Sequence, residues 1–211
     1  LHLALQLVET LPRSRSRDEH ELMLLNNLGP ALQGVTEFNL TNLQKVYERS
    51  FRLSQQLGVK PHIALLRISA IHKIGLRGFE ETEQVGSYFL EIAQQPSGSI
   101  ETVYYVEGSY LLGVNAFWQG YFERSGIYLQ QAVDNYSVEF QERHLAEYGQ
   151  ETGFYCQVRL AQTLWYLGFP DQSKQHSETA WSRARDLQHA YTLCLVLAYK
   201  AINACERRDI E

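Results

Sequence analysis

The chain has 211 residues, 45% of them hydrophobic, with 19 Lys and Arg against 24 Asp and Glu, for a formal charge of -5. That balance lacks the concentrated positive field of a dedicated nucleic-acid or anionic-membrane surface, and Cys156, Cys194 and Cys205 are too few and too scattered for a disulfide framework or a zinc site. The longest apolar run, Tyr191 to Tyr199, falls short of the roughly 20 residues of a membrane helix, the start does not read as a secretory signal, and the expected setting is the cytoplasm.

In chain order, Leu1, Ala4, Leu5, Val8 and Leu11 share one face of a helix over 1–11 that ends at Pro12; it reads as the second helix of a hairpin whose first is missing. The basic run Arg13-Ser14-Arg15-Ser16-Arg17, beside Asp18, Glu19 and Glu21, reads as a solvated loop. A first full hairpin spans 18–58. It opens at Asp18, with Glu21 completing a capping box, continues through Leu22, Leu25, Leu28 and Gly29, turns near Gly34 to Asn39, and returns through Leu40, Leu43, Val46, Tyr47, Phe51 and Leu57 to Gly58. Pro30 inside its first helix predicts a kink or a late start. The second hairpin, 61–95, pairs Pro61–Ile74 with Phe79–Gln95 and closes at Pro96-Ser97-Gly98-Ser99.

A third hairpin over 100–135 carries Leu112-Gly113, Gly120, Phe122, Ser125, Leu129 and Ala132. A fourth over 151–187 repeats the template as Leu160-Ala161, Gly168, Pro170, Ser173, Ser177 and Ala180. Small residues at these places let two helices approach closely, and the larger ones fill the groove between them. The connection between the two hairpins, roughly 136–150, is longer than packing requires and reads as a loop on one face, where repeat arrays often bind. Ala190 to about Cys205 reads as a first helix without its partner, followed by a turn at Glu206-Arg207-Arg208-Asp209. Cys194 and Cys205, eleven apart on that helix, read as buried small hydrophobes.

Gly29, Ala70, Gly113, Ala161 and Ala201 recur about 40 to 48 residues apart, the period of stacked helical hairpins. The expected fold is all-α, a right-handed superhelical solenoid forming one repeat domain over 1–211. Because natural arrays end in polar caps, a chain cut through a hairpin at each end reads as a fragment of a longer protein, and its orphan helices 1–11 and 190–205 make a homodimer possible through their apolar faces.

Three segments, Glu21-Leu22-Met23-Leu24-Leu25-Asn26-Asn27-Leu28-Gly29-Pro30-Ala31-Leu32, Leu111-Leu112-Gly113-Val114-Asn115-Ala116-Phe117-Trp118-Gln119-Gly120 and Leu164-Trp165-Tyr166-Leu167-Gly168-Phe169-Pro170-Asp171-Gln172-Ser173, resemble the tetratricopeptide-like region that follows the ATPase module in STAND-class multidomain signalling proteins. Such ATPases are often fused to a nucleotide cyclase, a Ser/Thr kinase or a winged-helix or LuxR-type DNA-binding domain. The resemblance covers about residues 2 to 209 and implies that any catalytic part lies outside this chain. The family often has Tyr-Gly-Gln-Asp-Pro-Gly in the long connection, where this chain has Tyr148-Gly149-Gln150-Glu151-Thr152-Gly153.

No Walker-type phosphate loop and no kinase or cyclase signature is present, so the chain is expected not to be an enzyme and to need no cofactor. His2, His20, His62, His72, His144, His176 and His189 are dispersed over different hairpins, and neither Glu19-His20-Glu21 nor His144-Leu145-Ala146-Glu147 has metal-site spacing; no metal is expected. In a tetratricopeptide-like hairpin the first helix lines the concave groove. That template selects Asn26 and Gln33, then Arg67, then Glu107, Tyr110 and Trp118, then Tyr155, Gln162 and Tyr166, with Arg67 a candidate for a carboxylate or phosphate. The alternative for Trp118 and Trp165 is packing between neighbouring hairpins. The leading expectation is a non-catalytic interaction and regulatory module that binds a protein, a peptide or other domains of its own chain, with no direct nucleic-acid or membrane contact. The alternative is a small-molecule inducer sensor of a STAND-type regulator.

Overall fold

The computed structural model describes residues 2–35, 40–94, 100–148 and 151–208, and among these the protein is all-α, with no strand. The chain divides into two compact units, Leu1–His72 with Ala146–Gly149, and Lys73–Leu145 with Gln150–Glu211.

The first unit holds α1 (His2–Glu9), α2 (Arg15–Val35), α3 (Leu40–Leu57) and most of α4 (Ile63–Gly75). Leu22, Leu25 and Leu28 of α2 recur at helical spacing and meet Val46 and Leu53 of α3, with Leu5 and Leu57 packed at the margin. Gly29 is the point of closest approach, because a Cβ there would collide with Cδ2 of Leu65 on α4. α2 starts earlier than the sequence predicts. The Ser14 hydroxyl accepts the Arg17 N–H at 3.2 Å and caps the helix, so the Asp18–Glu21 capping box does not form. Glu21, 2% exposed, instead receives Arg49 bidentately, Nε at 2.6 Å and Nη2 at 3.0 Å.

The basic run is likewise not a solvated loop. Arg15 already lies in α2, and Arg17 turns inward to donate to the Val8 carbonyl at 3.0 Å and stand 3.6 Å from Glu21. Pro30 lies well inside α2 and marks no late start; its side chain, the Gly34–Asn39 turn beyond Val35 and the Pro96–Ser99 closure lie outside the described residues.

In the second unit, α6 (Ile100–Trp118) packs between α5 (Phe79–Ala93) and α7 (Phe122–Asn135), and α9 (Thr152–Tyr166) meets α7, α10 (Pro170–Leu187) and α11 (Ala190–Arg207). Glycines set the approach of α5 to α6: a Cβ on Gly108 would lie 2.9 Å from the Gly86 carbonyl oxygen. Gly113 does the same for α6 and α7, where a Cβ would stand 2.6 Å from Cγ of Leu129. A second core joins Phe154 and Val158, Ala180 and Ala184, and Val196.

The turns repeat a single device. Gly120 (φ +82) and Gly168 (φ +84) take the left-handed conformation, and the next residues, Tyr121 and Phe169, donate back to the carbonyls of Ala116 and Leu164, both at 2.9 Å. α5 is entered the same way, with Arg77 (φ +62) in the glycine's place and Gly78 donating to Lys73 at 2.8 Å.

Two further expectations change. The connection after α7 is not a plain loop: Ser137 starts a 3-10 turn over Val138–Phe140 by accepting the Glu139 N–H, and α8 (Gln141–Tyr148) follows, while residues 149 and 150 lie outside the described set. Cys194 and Cys205 are exposed and only Cys156 is buried. The eleven-residue spacing does place Cys194 and Cys205 on one face of α11, but Thr192, Val196 and Asn203 on the opposite face are the ones that pack inward. Ala201 shares the exposed side, unlike buried Gly29, Ala70, Gly113 and Ala161.

Candidate binding site

Nine side chains are candidates from the sequence, and the two units hold them separately. In the first unit, Asn26 is half-buried and accepts the Ser50 hydroxyl at 2.7 Å. Gln33 lies in α2 with its side chain outside the described residues, and Arg67 on α4 is 1% exposed, so its guanidinium is not presented to solvent.

In the second unit the remaining six fall at two ends of α9. Near its start, Glu107 is fully buried and accepts the Thr152 hydroxyl at 2.6 Å. Tyr110 and Tyr155, 3% and 7% exposed, meet edge to face with ring centroids 6.2 Å apart, which makes them a packed pair between α6 and α9. Beside them Glu151 caps α9, its carboxylate accepting the N–H groups of Gly153 at 3.4 Å and Phe154 at 3.0 Å and the hydroxyl of Tyr136. The Tyr136 ring leaves no room for a side chain at Gly153 and meets buried His144 edge to face, while Arg183 lies over both Tyr136 and Phe154. Burial pushes the Glu151 carboxyl up to about 7, with Glu107 adding to the rise and the two backbone N–H groups and Arg183 opposing it.

Trp118, Gln162 and Tyr166 gather at the other end of α9. Phe117 touches Trp118 and Tyr166 edge to face at 5.7 and 5.6 Å, and Tyr166 stacks on Phe122 at 4.8 Å. Trp118 is 56% and Tyr166 49% exposed, so the cluster opens to solvent. At its centre lies Arg159, which the groove template did not select. Its guanidinium carbon sits 4.6 Å from the Tyr199 ring centre, 5.6 Å from Trp118 and 5.9 Å from Phe117.

One polar chain runs through these rings. Arg159 Nη1 donates to Gln162 Oε1 at 3.1 Å, Gln162 Nε2 donates to Glu206 Oε1 at 3.3 Å, and the Tyr166 hydroxyl donates to the same oxygen at 3.0 Å. Donation to Glu206 raises the Tyr166 pKa, because ionising the phenol would break the bond and set two negative charges together. Gln162 therefore stands between two opposite charges that do not pair directly. Arg159 Nε and Glu206 Oε2 are sheltered from solvent and find no hydrogen-bond partner among the described residues. A cavity of about 660 Å³ adjoins the cluster at Phe122, lined also by Gly120, Tyr121, Glu123, Arg124 and Leu167.

Arg159 was discoverable, since it falls on the same helical line as Tyr155, Gln162 and Tyr166. Tyr199 and Glu206 carried no such signal, for they reach the site from α11. Among the described residues no group of three or more His, Cys, Asp or Glu is placed to hold a metal ion, and no helix is long and apolar enough to cross a membrane. No family model, curated protein or solved structure matches this chain.

Proposed function

We propose that the chain is a non-catalytic interaction and regulatory module of a larger cytoplasmic signalling protein, a right-handed superhelix of tetratricopeptide-like hairpins that takes a peptide or protein segment along its first helices. The observation that supports this reading is the open end of α9. Two half-exposed aromatic rings flank a guanidinium, an amide and a carboxylate drawn from α6, α9 and α11. Exposed Trp and Tyr beside a partly buried Arg are the residue types that dominate binding energy at protein interfaces. The resemblance to the helical region of STAND signalling ATPases supplies the regulatory setting.

Panning a random peptide display library on the immobilised chain tests it. Wild-type protein should enrich a peptide family, and Trp118→Ala with Tyr166→Ala should weaken those peptides at least about 30-fold, the loss of roughly 2 kcal/mol that an aromatic anchor supplies. No enrichment, with a saturable thermal shift from a metabolite instead, would establish the small-molecule sensor in its place.

A further inference from the structure

We infer that the outer face of α11 is a homodimer surface, on which a second copy of this chain lays its own α11 antiparallel about a two-fold axis. This goes beyond the peptide reading and does not depend on it. α11 packs on α9 and α10, and its buried residues are Thr192, Val196 and Asn203. Between Tyr191 and Cys205 its exposed residues are Cys194, Leu197, Ala198, Ala201, Ile202 and Cys205, which share one side of the helix. No charged or amide side chain is among them, and Leu197 is 50% and Ile202 44% exposed. The solvent side of a surface helix ordinarily carries polar groups, so an apolar stripe there marks a contact surface.

The order of residues along the stripe points to its occupant. From either end it runs cysteine, branched aliphatic, alanine, alanine, branched aliphatic, cysteine, symmetric about the midpoint between Tyr199 and Lys200. Two copies set antiparallel about that midpoint place Cys194 against Cys205, Leu197 against Ile202 and Ala198 against Ala201. Each pair then occurs twice, as an isologous interface requires. The alanines at the axis admit close approach, and the aliphatic side chains interlock on either side. Charge is compatible with the same setting, because the stripe brings no like charges together at the axis and the antiparallel helix dipoles attract. It also carries the exposed Arg208 of each copy toward the other's α10–α11 turn, where Asp186 is exposed. Lys200, beside the midpoint, is turned aside onto Glu178 at 2.7 Å. The 18 residues of α11 make a helix about 27 Å long, whose contact buries roughly 500 Å² per copy and about 1,000 Å² in all, the threshold of a specific interface and enough for a reversible dimer.

The test uses the whole chain and its own cysteines, since Cys156 is buried and Cys194 and Cys205 are exposed. A short bis-maleimide should join wild-type protein into a covalent dimer. Cys194→Ala alone and Cys205→Ala alone should each lose nearly all of it, because the remaining cysteine then faces an alanine. An equimolar mixture of the two variants should regain it, since their mixed dimer restores one Cys194–Cys205 pair. Sedimentation over a concentration series should show a monomer–dimer equilibrium that Ala201→Arg weakens at least about 30-fold, by setting two like charges near the axis. The replaced alanine is exposed, so the dilute variant should melt as wild type does. A monomer at every concentration overturns the inference. Covalent dimer that survives either cysteine substitution overturns the antiparallel pairing, and a dimer that Ala201→Arg leaves intact uses another face, such as that of exposed Leu3, Leu7 and Leu11, and overturns the surface.

Discussion

The two ends of α9 use the same kinds of side chain, and one is closed while the other is open. At the start, Glu151, Glu107 and Thr152 are buried and Tyr136 and Arg183 partly so, with hydrogen bonds joining Tyr136 to Glu151 and Thr152 to Glu107 and Arg183 lying over the Tyr136 ring. At the finish, Arg159, Gln162, Glu206, Tyr166 and Trp118 make a comparable network with two of its rings half-exposed. A residue list cannot tell a structural polar cluster from a recognition site. Burial can, because side chains packed inside stabilise the fold whereas rings left half-exposed can still gain buried area from a ligand. Changes at the closed end should therefore cost stability, and changes at the open end should cost binding.

The largest expected effect is a pH dependence from the closed end. The Glu151 carboxyl, near 4.5 when unfolded, is held by burial at about 7 in the folded protein, so the folded state keeps its proton over a range where the unfolded state has lost it. Its contribution is complete below pH 4.5 and is lost as pH rises to about 7, with a total on the order of 3 kcal/mol. His176, lowered chiefly by burial, acts oppositely and destabilises the fold as pH falls below 6.5. Comparing wild type with Glu151→Gln removes His176 from the difference. Urea melts at pH 5 and pH 8 should show the wild-type-minus-variant stability falling with pH, and a flat difference would mean that Glu151 ionises freely.

Gly153→Ala should come next. Its Cβ would stand 2.7 to 2.8 Å from three carbons of the Tyr136 ring, and that ring is pinned by its bond to Glu151 and by Arg183. Overpacking of this kind costs about 2 kcal/mol even after the better helix propensity of alanine is counted. Tyr136→Phe keeps the ring and removes only the hydroxyl, so about 1 kcal/mol is expected. A thermal melt separates the two, and the reverse order of effects would show that the hydroxyl, rather than the ring's shape, holds the closed end.

The helical order of the chain was legible from its apolar spacing, and the turns from Gly120 and Gly168, since these signals are local. What the sequence hid depends on partners far along the chain. Arg17 looks solvated beside other arginines until the Val8 carbonyl and Glu21 are seen around it. Cys194 and Cys205 share a face as their spacing says, but only tertiary packing decides which face of α11 is inward. Glu151 stood out as a departure from a familiar turn, and nothing near it in sequence announced a buried carboxyl bonded to Tyr136, fifteen residues upstream. Trp118, Gln162 and Tyr166 were on the template, yet the cation they surround was not.

Tyr166→Phe sharpens the comparison most economically, because it is the open-end counterpart of Tyr136→Phe. Both remove one hydroxyl that donates to a glutamate, and the second ring is 49% exposed. Water can replace the lost donor at Glu206, so the melting temperature should move by no more than the equivalent of about 0.5 kcal/mol. Tyr166 is one of the two half-exposed rings proposed to anchor a peptide, so peptide affinity should fall a few-fold when its hydroxyl is lost. Equal destabilisation by the two Tyr→Phe changes would erase the distinction between the ends of α9. A small stability change joined to weaker binding would mark the second end as a surface kept open for a partner.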